Sequence, residues 1–390
     1  MHEMSPDVAT SLERSIRYRK EPIMSRLQRL VSLETPSGAK KSLDHFAKDL
    51  ATNFTSLGAS DVSLTPTSTG SHVIANFPGR TGERPLLLIG HSDTVWPVGT
   101  LDSTVPWTVN GDIVTGPGVF DMKSGLVIIE VALAALRDVG ATRRPVRIIV
   151  SADEEVGSPT SREILLKAAQ GIEAALGFES PHPDGALKIG RLGSTRVTLS
   201  VVGREAHAAL EPEKGVSAID ELVDQLIKIR QLVASSNDWG CGTTLLNAGA
   251  ITGGNRANVV SSHAEALIGL RFENSEVEGR VLSDLDRLRP FRTGASVGIE
   301  VLTHRPSWQA SAADHALLTR IETIAAALDL QVDGRPAAGA ADTNFVGAMG
   351  IPTLDGFGAR GGGAHAPTEH IFFSSLIERA FFLAATLHSI

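Results

Sequence analysis

The chain is nearly free of cysteine: one thiol, Cys241, in 390 residues. A single thiol cannot close an internal disulfide, which fits a reducing, cytoplasmic setting. Soft thiolate ligands are therefore missing as well, so any metal site must be built from His, Asp and Glu. Long apolar runs are absent: none approaches the ~20 residues that cross a bilayer. The opening MHEMSPDVATSLERSIRYRK lacks the apolar core of an export signal, so neither membrane insertion nor secretion is expected. Blocks of basic residues are absent too. The 36 Lys and Arg against 44 Asp and Glu give a net charge of −8 with the signs mixed along the chain, which argues against nucleic acid as a partner. The stretch GPGVFDMKS has the outline of a phosphate loop, but Met122 stands where a glycine must precede Lys-Ser.

What is present is material for a large core, 42% hydrophobic residues, together with 12 His and a surplus of carboxylates. From about residue 70 to 180 apolar runs alternate with helical patterns: HVIANF, RPLLLIG, a helix from about Lys123 to Val139, RPVRIIVSA and EAALGFE. Such a rhythm predicts an α/β fold with a mainly parallel sheet covered on both faces. Ligands of such sheets bind beyond the carboxyl ends of the strands, where His91-Ser92-Asp93, Asp153-Glu154-Glu155 and Glu179 fall. From Ser194 the order becomes βαββαβ, that of a ferredoxin-like unit with two helices on one face of a four-stranded sheet. Residues 194–304 are therefore expected to form an insertion in a domain made of 1–193 and 305–390.

Several polar residues have both an ordinary and a chemical reading. His91 and Asp93 point the same way at a strand end, where a carboxylate can fix the tautomer of a metal-binding imidazole; they could also be a strand-end His and a turn Asp. Asp121, between GPGVF and MKSG, could cap a helix or bridge two cations. Three successive acids at 153–155 repel one another, a cost tolerated mainly where cations or protons neutralise it. One glutamate could then ligate while its neighbour abstracts a proton. Glu179 could be an ordinary strand-end acid. His365 follows three glycines that permit close backbone approach to a ligand, yet could lie on a surface loop. His207 and Arg271, near strand ends of the insertion, read singly as a satisfied polar His and a surface cation.

Taken in order, GHSDTVWPVGTL, GPGVFDMKSG, SADEEVGS, GFES, GREAHA, NVVSSHAEALIGLRF and GGGAHAPTEH resemble the co-catalytic di-zinc aminoacylase and carboxypeptidase family over nearly the whole chain. That family includes acetylornithine deacetylase, succinyl-diaminopimelate desuccinylase, peptidase T and glutamate carboxypeptidase, and HSDTVWP, GPGVFDMKSG and GFES are most similar to the last branch. The resemblance implies one zinc on His91 and Glu179, a second on Glu155 and His365, and Asp121 bridging them, with cobalt or manganese as possible substitutes. It implies that Asp93 orients His91 and that Glu154 is general base and acid. The insertion resembles the family's dimerisation domain, so the resemblance implies a homodimer in which His207 reaches the partner subunit's site to polarise the scissile carbonyl. Asn258 and Arg271 match positions that bind substrate oxygen and carboxylate. Phe120 and the Ala-Pro after His365 depart from the family's usual small and polar residues and bear on the substrate pocket.

The activity so implied is hydrolysis of an amide on the amino side of a free α-carboxylate, by a hydroxide shared between the two ions, releasing a C-terminal amino acid of the glutamate type. An N-acyl-amino-acid deacylase or a dipeptidase is the alternative within enzymes. A metal-dependent binding protein without catalysis is the alternative outside them.

Overall fold

The computed structural model describes all residues except 1, 3, 239 and 241, so Cys241 lies outside the described residues. The chain divides into two compact units. One comprises Met1–Gly190, Ala310–Ala337 and Ala341–Ile390, and the other Arg191–Gln309 with Ala338–Ala340. No helix among the described residues is long and apolar enough to cross a membrane.

The first unit is α/β. Its six-stranded sheet contains β1 (Asp61–Pro66), β2 (Ser71–Phe77), β3 (Leu86–His91), β4 (Val146–Ser151), β5 (Ala174–Gly177) and the short strand Thr353–Leu354, in the order β1-β2-β4-β3-β5 and then Thr353–Leu354. The strands β4, β3, β5 and Thr353–Leu354 are parallel. Every residue of β3 is buried, as a strand covered on both faces requires. Leu86 and Leu88 enter the larger core with the helix α1 (Ser124–Asp138), while Leu87 and Ile89 face Leu165, Phe345 and Val346 on the other side. HVIANF departs from the parallel expectation, because β2 runs antiparallel to β4. It is the second arm of a hairpin with β1 that closes where the Thr67 N–H donates to the Gly70 carbonyl at 3.0 Å. A Cβ on Gly70 would lie 2.7 Å from Leu43 Cβ, so only glycine fits this turn.

The second unit has strands β6 (Gly193–Val202), β7 (Thr244–Gly253), β8 (His263–Phe272) and β9 (Ser296–Arg305), all antiparallel in the order β7-β8-β6-β9. Helices α2 (Ala218–Ser236) and α3 (Ser275–Asp286) follow β6 and β8, giving the βαββαβ order. Ser217 and Asn274 cap their first turns by accepting backbone N–H groups. Alternation decides which face is buried: Val197, Leu199, Val201, Ala266, Ile268 and Leu270 pack with Leu222, Ile229 and Val281 of the two helices. The intervening residues of β6 and β8, among them Arg196, Leu267 and Arg271, lie on the opposite face.

Candidate active site

The carboxyl end of β3 delivers His91, which is 1% exposed. Its Nδ1 lies 2.9 Å from the main-chain carbonyl of Asp93, an acceptor that keeps the ring proton on Nδ1 and leaves the Nε2 lone pair facing inward. That nitrogen is 3.1 Å from Asp121 Oδ1 and 3.4 Å from Glu179 Oε1. Asp93 thus orients the imidazole chiefly through its main chain, its carboxylate being 3.5 Å from Nδ1. The carboxylate accepts instead from the N–H groups of Glu154 at 3.0 Å and Glu155 at 3.1 Å and from the Ser37 hydroxyl at 2.7 Å. It therefore ties the β3 end to the acidic loop that follows β4.

In that loop only two of the three acids turn toward His91. Asp153 is fully buried and accepts from Thr160 N, Thr160 Oγ1 and Ser161 Oγ at 2.7, 2.6 and 2.5 Å. Repulsion among the acids is thus relieved at Asp153 by hydrogen-bond donors. Ligand atoms of Glu154 and Glu179 group with His91, and those of Asp121 and Glu155 form another group with His91, each set lying within 4.8 Å.

Asp121 follows Gly118, whose φ of 72° is left-handed and where a Cβ would meet Thr94 Cγ2 at 2.5 Å. Its two oxygens diverge: Oδ1 faces His91, and Oδ2 lies 3.2 Å from Nε2 of His365. That same nitrogen is 3.3 Å from Glu155 Oε2. The other oxygen of Glu155 is buried with no hydrogen-bond partner. Five side chains therefore form two sets that share Asp121. Two donors on one tetrahedral zinc ion lie about 3.3 Å apart, given bonds of about 2.0–2.2 Å. The observed spacings of 3.1–3.4 Å agree with that edge length. With the hard N/O donor set and the orphaned oxygen of Glu155, the residues fit a pair of divalent cations.

Electrostatics point the same way. Burial opposes a charged His91, yet Glu179, Asp121 and Asp93 outweigh it and raise its pKa well above the usual imidazole value. His365, held by Asp121 and Glu155, is pushed up to about 10. Burial works against ionised Asp121, but the two imidazoles hold its carboxyl far below the usual range. Glu179 is raised by burial and by the Asp121 charge. The cluster favours positive charge between its carboxylates, and a metal must displace those protons on binding.

One residue that sequence reasoning missed organises the bridging loop. Glu369 is fully buried and accepts from Gly118 N at 3.0 Å, Phe120 N at 2.9 Å, Asp121 N at 3.2 Å and Trp96 Nε1 at 2.5 Å. It lies four positions after His365, so one carboxylate joins three loops that carry or adjoin candidate ligands. An acid in HAPTEH close behind a candidate ligand was the available signal.

In the second unit His207 and Asn258 are neighbours, with the Ala208 N–H donating to the Asn258 carbonyl at 3.0 Å and His207 bridging to Val259. His207 Nδ1 accepts from Ala209 N at 3.2 Å and Leu210 N at 3.1 Å, which places the ring proton on Nε2. Arg271 lies at the far end of β8, paired with Ser194 in register and donating to its hydroxyl. From His263 to Arg271 the strand runs about 27 Å.

The description of peptidase family M20/M25/M40 matches residues 87–389. Carboxypeptidase G2 of a Pseudomonas species is 26% identical over 378 residues, covering 94% of this chain and 88% of that protein. Succinyl-diaminopimelate desuccinylase of a Caulobacter species is 31% identical over 217 residues, covering 51% of this chain and 54% of that protein. Among solved structures, an M20 family metallo-carboxypeptidase from Sulfolobus solfataricus shares the fold with a TM-score of 0.73 at 16% identity, covering 94% of this chain and 98% of the other.

Proposed function

The chain belongs to peptidase family M20/M25/M40 and is a metal-dependent peptidase or amidohydrolase, and on that premise we propose that it hydrolyses the amide on the amino side of a free α-carboxylate, releasing a C-terminal amino acid of the glutamate type. The observation that carries this reading is Asp121, whose two oxygens face His91 and His365 at 3.1 and 3.2 Å. His91, Glu179 and Asp121 would hold one cation, and Asp121, Glu155 and His365 the other, with zinc as the proposed metal. Such a pair would supply a Lewis acid for the scissile carbonyl and would lower the pKa of a water toward about 7.

The chain's own residues do the rest. Glu154, 7% exposed beside His91 and Glu179, takes the proton of the attacking water and delivers it to the departing amine. Asp93 keeps the segment bearing Glu154 and Glu155 in place. His207, with its proton on Nε2, donates to the carbonyl oxygen as negative charge develops there. Asn258 assists at that oxygen, and Arg271 takes the free carboxylate with its planar fork.

An N-acyl amino acid or dipeptide extends about 7 Å, so it cannot touch both ends of a β8 strand about 27 Å long. Use of His207, Asn258 and Arg271 on one substrate thus needs two chains. The second unit offers a surface for such a homodimer. Ile219, Val223 and Ile227 are 39%, 50% and 49% exposed at helical spacing on α2. A side chain begun on Gly253 of the edge strand β7 would be 3.2 Å from Ile219 Cγ1, so this stripe adjoins an unpaired sheet edge. A cytoplasmic location belongs to the same proposal and is supported by the single cysteine.

The test is a panel of N-acyl amino acids, N-aroyl amino acids and dipeptides incubated with zinc-loaded protein, the released amino acid being identified. Release from substrates with a free carboxylate, and none from their C-terminal amides, is expected. Equal hydrolysis of the amides would remove the Arg271 carboxylate reading. Because desuccinylases and deacetylases are also relatives, the preferred acyl group decides between peptidase and deacylase.

A further inference from the structure

The face of the second unit's sheet that the helices leave open carries arginines on neighbouring strands. Arg271 on β8 pairs with Ser194, Gly269 pairs with Arg196 on β6, and Arg305 on β9 pairs with Ser194. Arg196 and Arg271 are therefore diagonal neighbours, their Cβ positions about 7–8 Å apart. Long side chains at such positions are within reach of one another. No carboxylate lies within ion-pair distance of Arg196 or Arg271 among the described residues. Of the acids on this face, Glu265 on β8 lies opposite Ser200, two same-face positions beyond Gly269, and Glu300 on β9 lies opposite Thr198, diagonal to Arg196. The mutual influence is nevertheless felt: burial, then the charges of Arg196 and Arg305, hold the Arg271 guanidinium below its usual value.

Between the two side chains the sheet surface is concave. A hollow of about 420 Å3 is lined by Arg196, Arg271, Leu245, Asn247, Leu267 and Gly269. Gly269 supplies no side chain, so the floor between the arginines is bare backbone, while Leu245 and Leu267 make an apolar wall. Two guanidinium groups at the rim of a partly apolar hollow suit a ligand with two anionic groups joined by a short aliphatic spacer.

We propose that this hollow is a dicarboxylate subsite in which Arg271 takes the α-carboxylate of the residue to be released and Arg196 takes its side-chain carboxylate, making Arg196 the determinant of acidic-residue specificity. The assignment rests on the reading above in which Arg271 receives the free carboxylate. Glutamate and aspartate differ from glutamine and asparagine in shape hardly at all, so the discrimination comes from charge.

The experiment compares kcat/KM of the zinc-loaded protein for one acyl group carried on glutamate and on glutamine. A charge-assisted hydrogen bond predicts a preference for glutamate of about tenfold to a hundredfold. In Arg196→Met that ratio should collapse toward one, chiefly through a raised KM for the glutamate substrate. Arg196→Lys should recover part of it, while Arg271→Met should weaken both substrates. An equal ratio in wild type and Arg196→Met, or no preference in wild type, overturns the subsite. If wild type cleaves neither substrate, the hydrolytic reading fails separately, and calorimetric titration of glutarate and butyrate decides the hollow. Tighter glutarate binding that is lost in Arg196→Met supports it; no glutarate binding, or binding indifferent to the substitution, overturns it.

Discussion

Replacing Glu369 by Gln tests whether Asp121, the proposed bridging ligand, depends on a buried carboxylate that is not itself among the proposed ligands. Glu369 accepts four N–H groups, from Gly118, Phe120, Asp121 and Trp96. A glutamine offers one oxygen that can serve two of them, and its NH2 group then confronts the other two. Each buried donor left without an acceptor costs about 1–3 kcal/mol, so the pair costs about 2–6 kcal/mol. Burial already pushes the Glu369 carboxyl up, and a neutral amide escapes that desolvation, which moves the expected loss to the lower half, about 2–4 kcal/mol. Because Asp121 N is among the donors, Asp121 loses its fixed backbone. Loss of an outer support of this kind typically weakens metal binding about 10–100-fold. Urea unfolding of metal-free protein measures the first quantity, and zinc competition with a chromophoric chelator measures the second. A variant within about 0.5 kcal/mol of wild type with unaltered zinc affinity would refute the reasoning.

Glu154→Ala should keep its metal by elemental analysis and lose about 10²–10⁴ in kcat; full turnover would remove the acid-base role. His207→Ala should be inactive alone and should regain activity when mixed with Glu154→Ala, while verified mixed dimers without activity would count against shared sites. His72 gives a pH dependence. Burial holds its imidazole below the ordinary histidine value, and its Nδ1 accepts the Ala152 N–H at 3.0 Å, which only the unprotonated nitrogen can do. The unfolded chain then binds the proton first, so this contribution is complete above about pH 6.5 and declines as pH falls toward the folded-state pKa. Thermal midpoints should fall between about pH 7 and pH 5, less steeply in His72→Gln; identical slopes would exclude His72 as a source.

The placement of most candidate residues was legible because strand ends are legible. LLLIGH and VRIIVS are apolar runs too continuous for a half-exposed strand, and the polar residues directly after them had to emerge at one edge of a buried sheet. What escaped was whatever depends on contacts between loops distant in sequence. Glu369 looks like a surface acid until its loop folds over residues 118–121. Asp153 looks like its two neighbours until Thr160 and Ser161 turn their donors onto it. The direction of β2 escaped for a related reason: an apolar run specifies burial but carries no sign of parallel or antiparallel pairing, which the turn at Thr67–Gly70 sets.

The length of β8 also acts as a ruler on kinetics. His207 and Asn258 lie in the segments that adjoin its His263 end, and Arg271 stands toward the other end, about 27 Å along the strand from His263. A reaction that draws on both ends is second order in chain once dimers dissociate, so halving a very dilute sample quarters its rate. Dilution would then silence the protein with every helix and strand intact, and added partner chains bearing a dead metal centre would switch it on again.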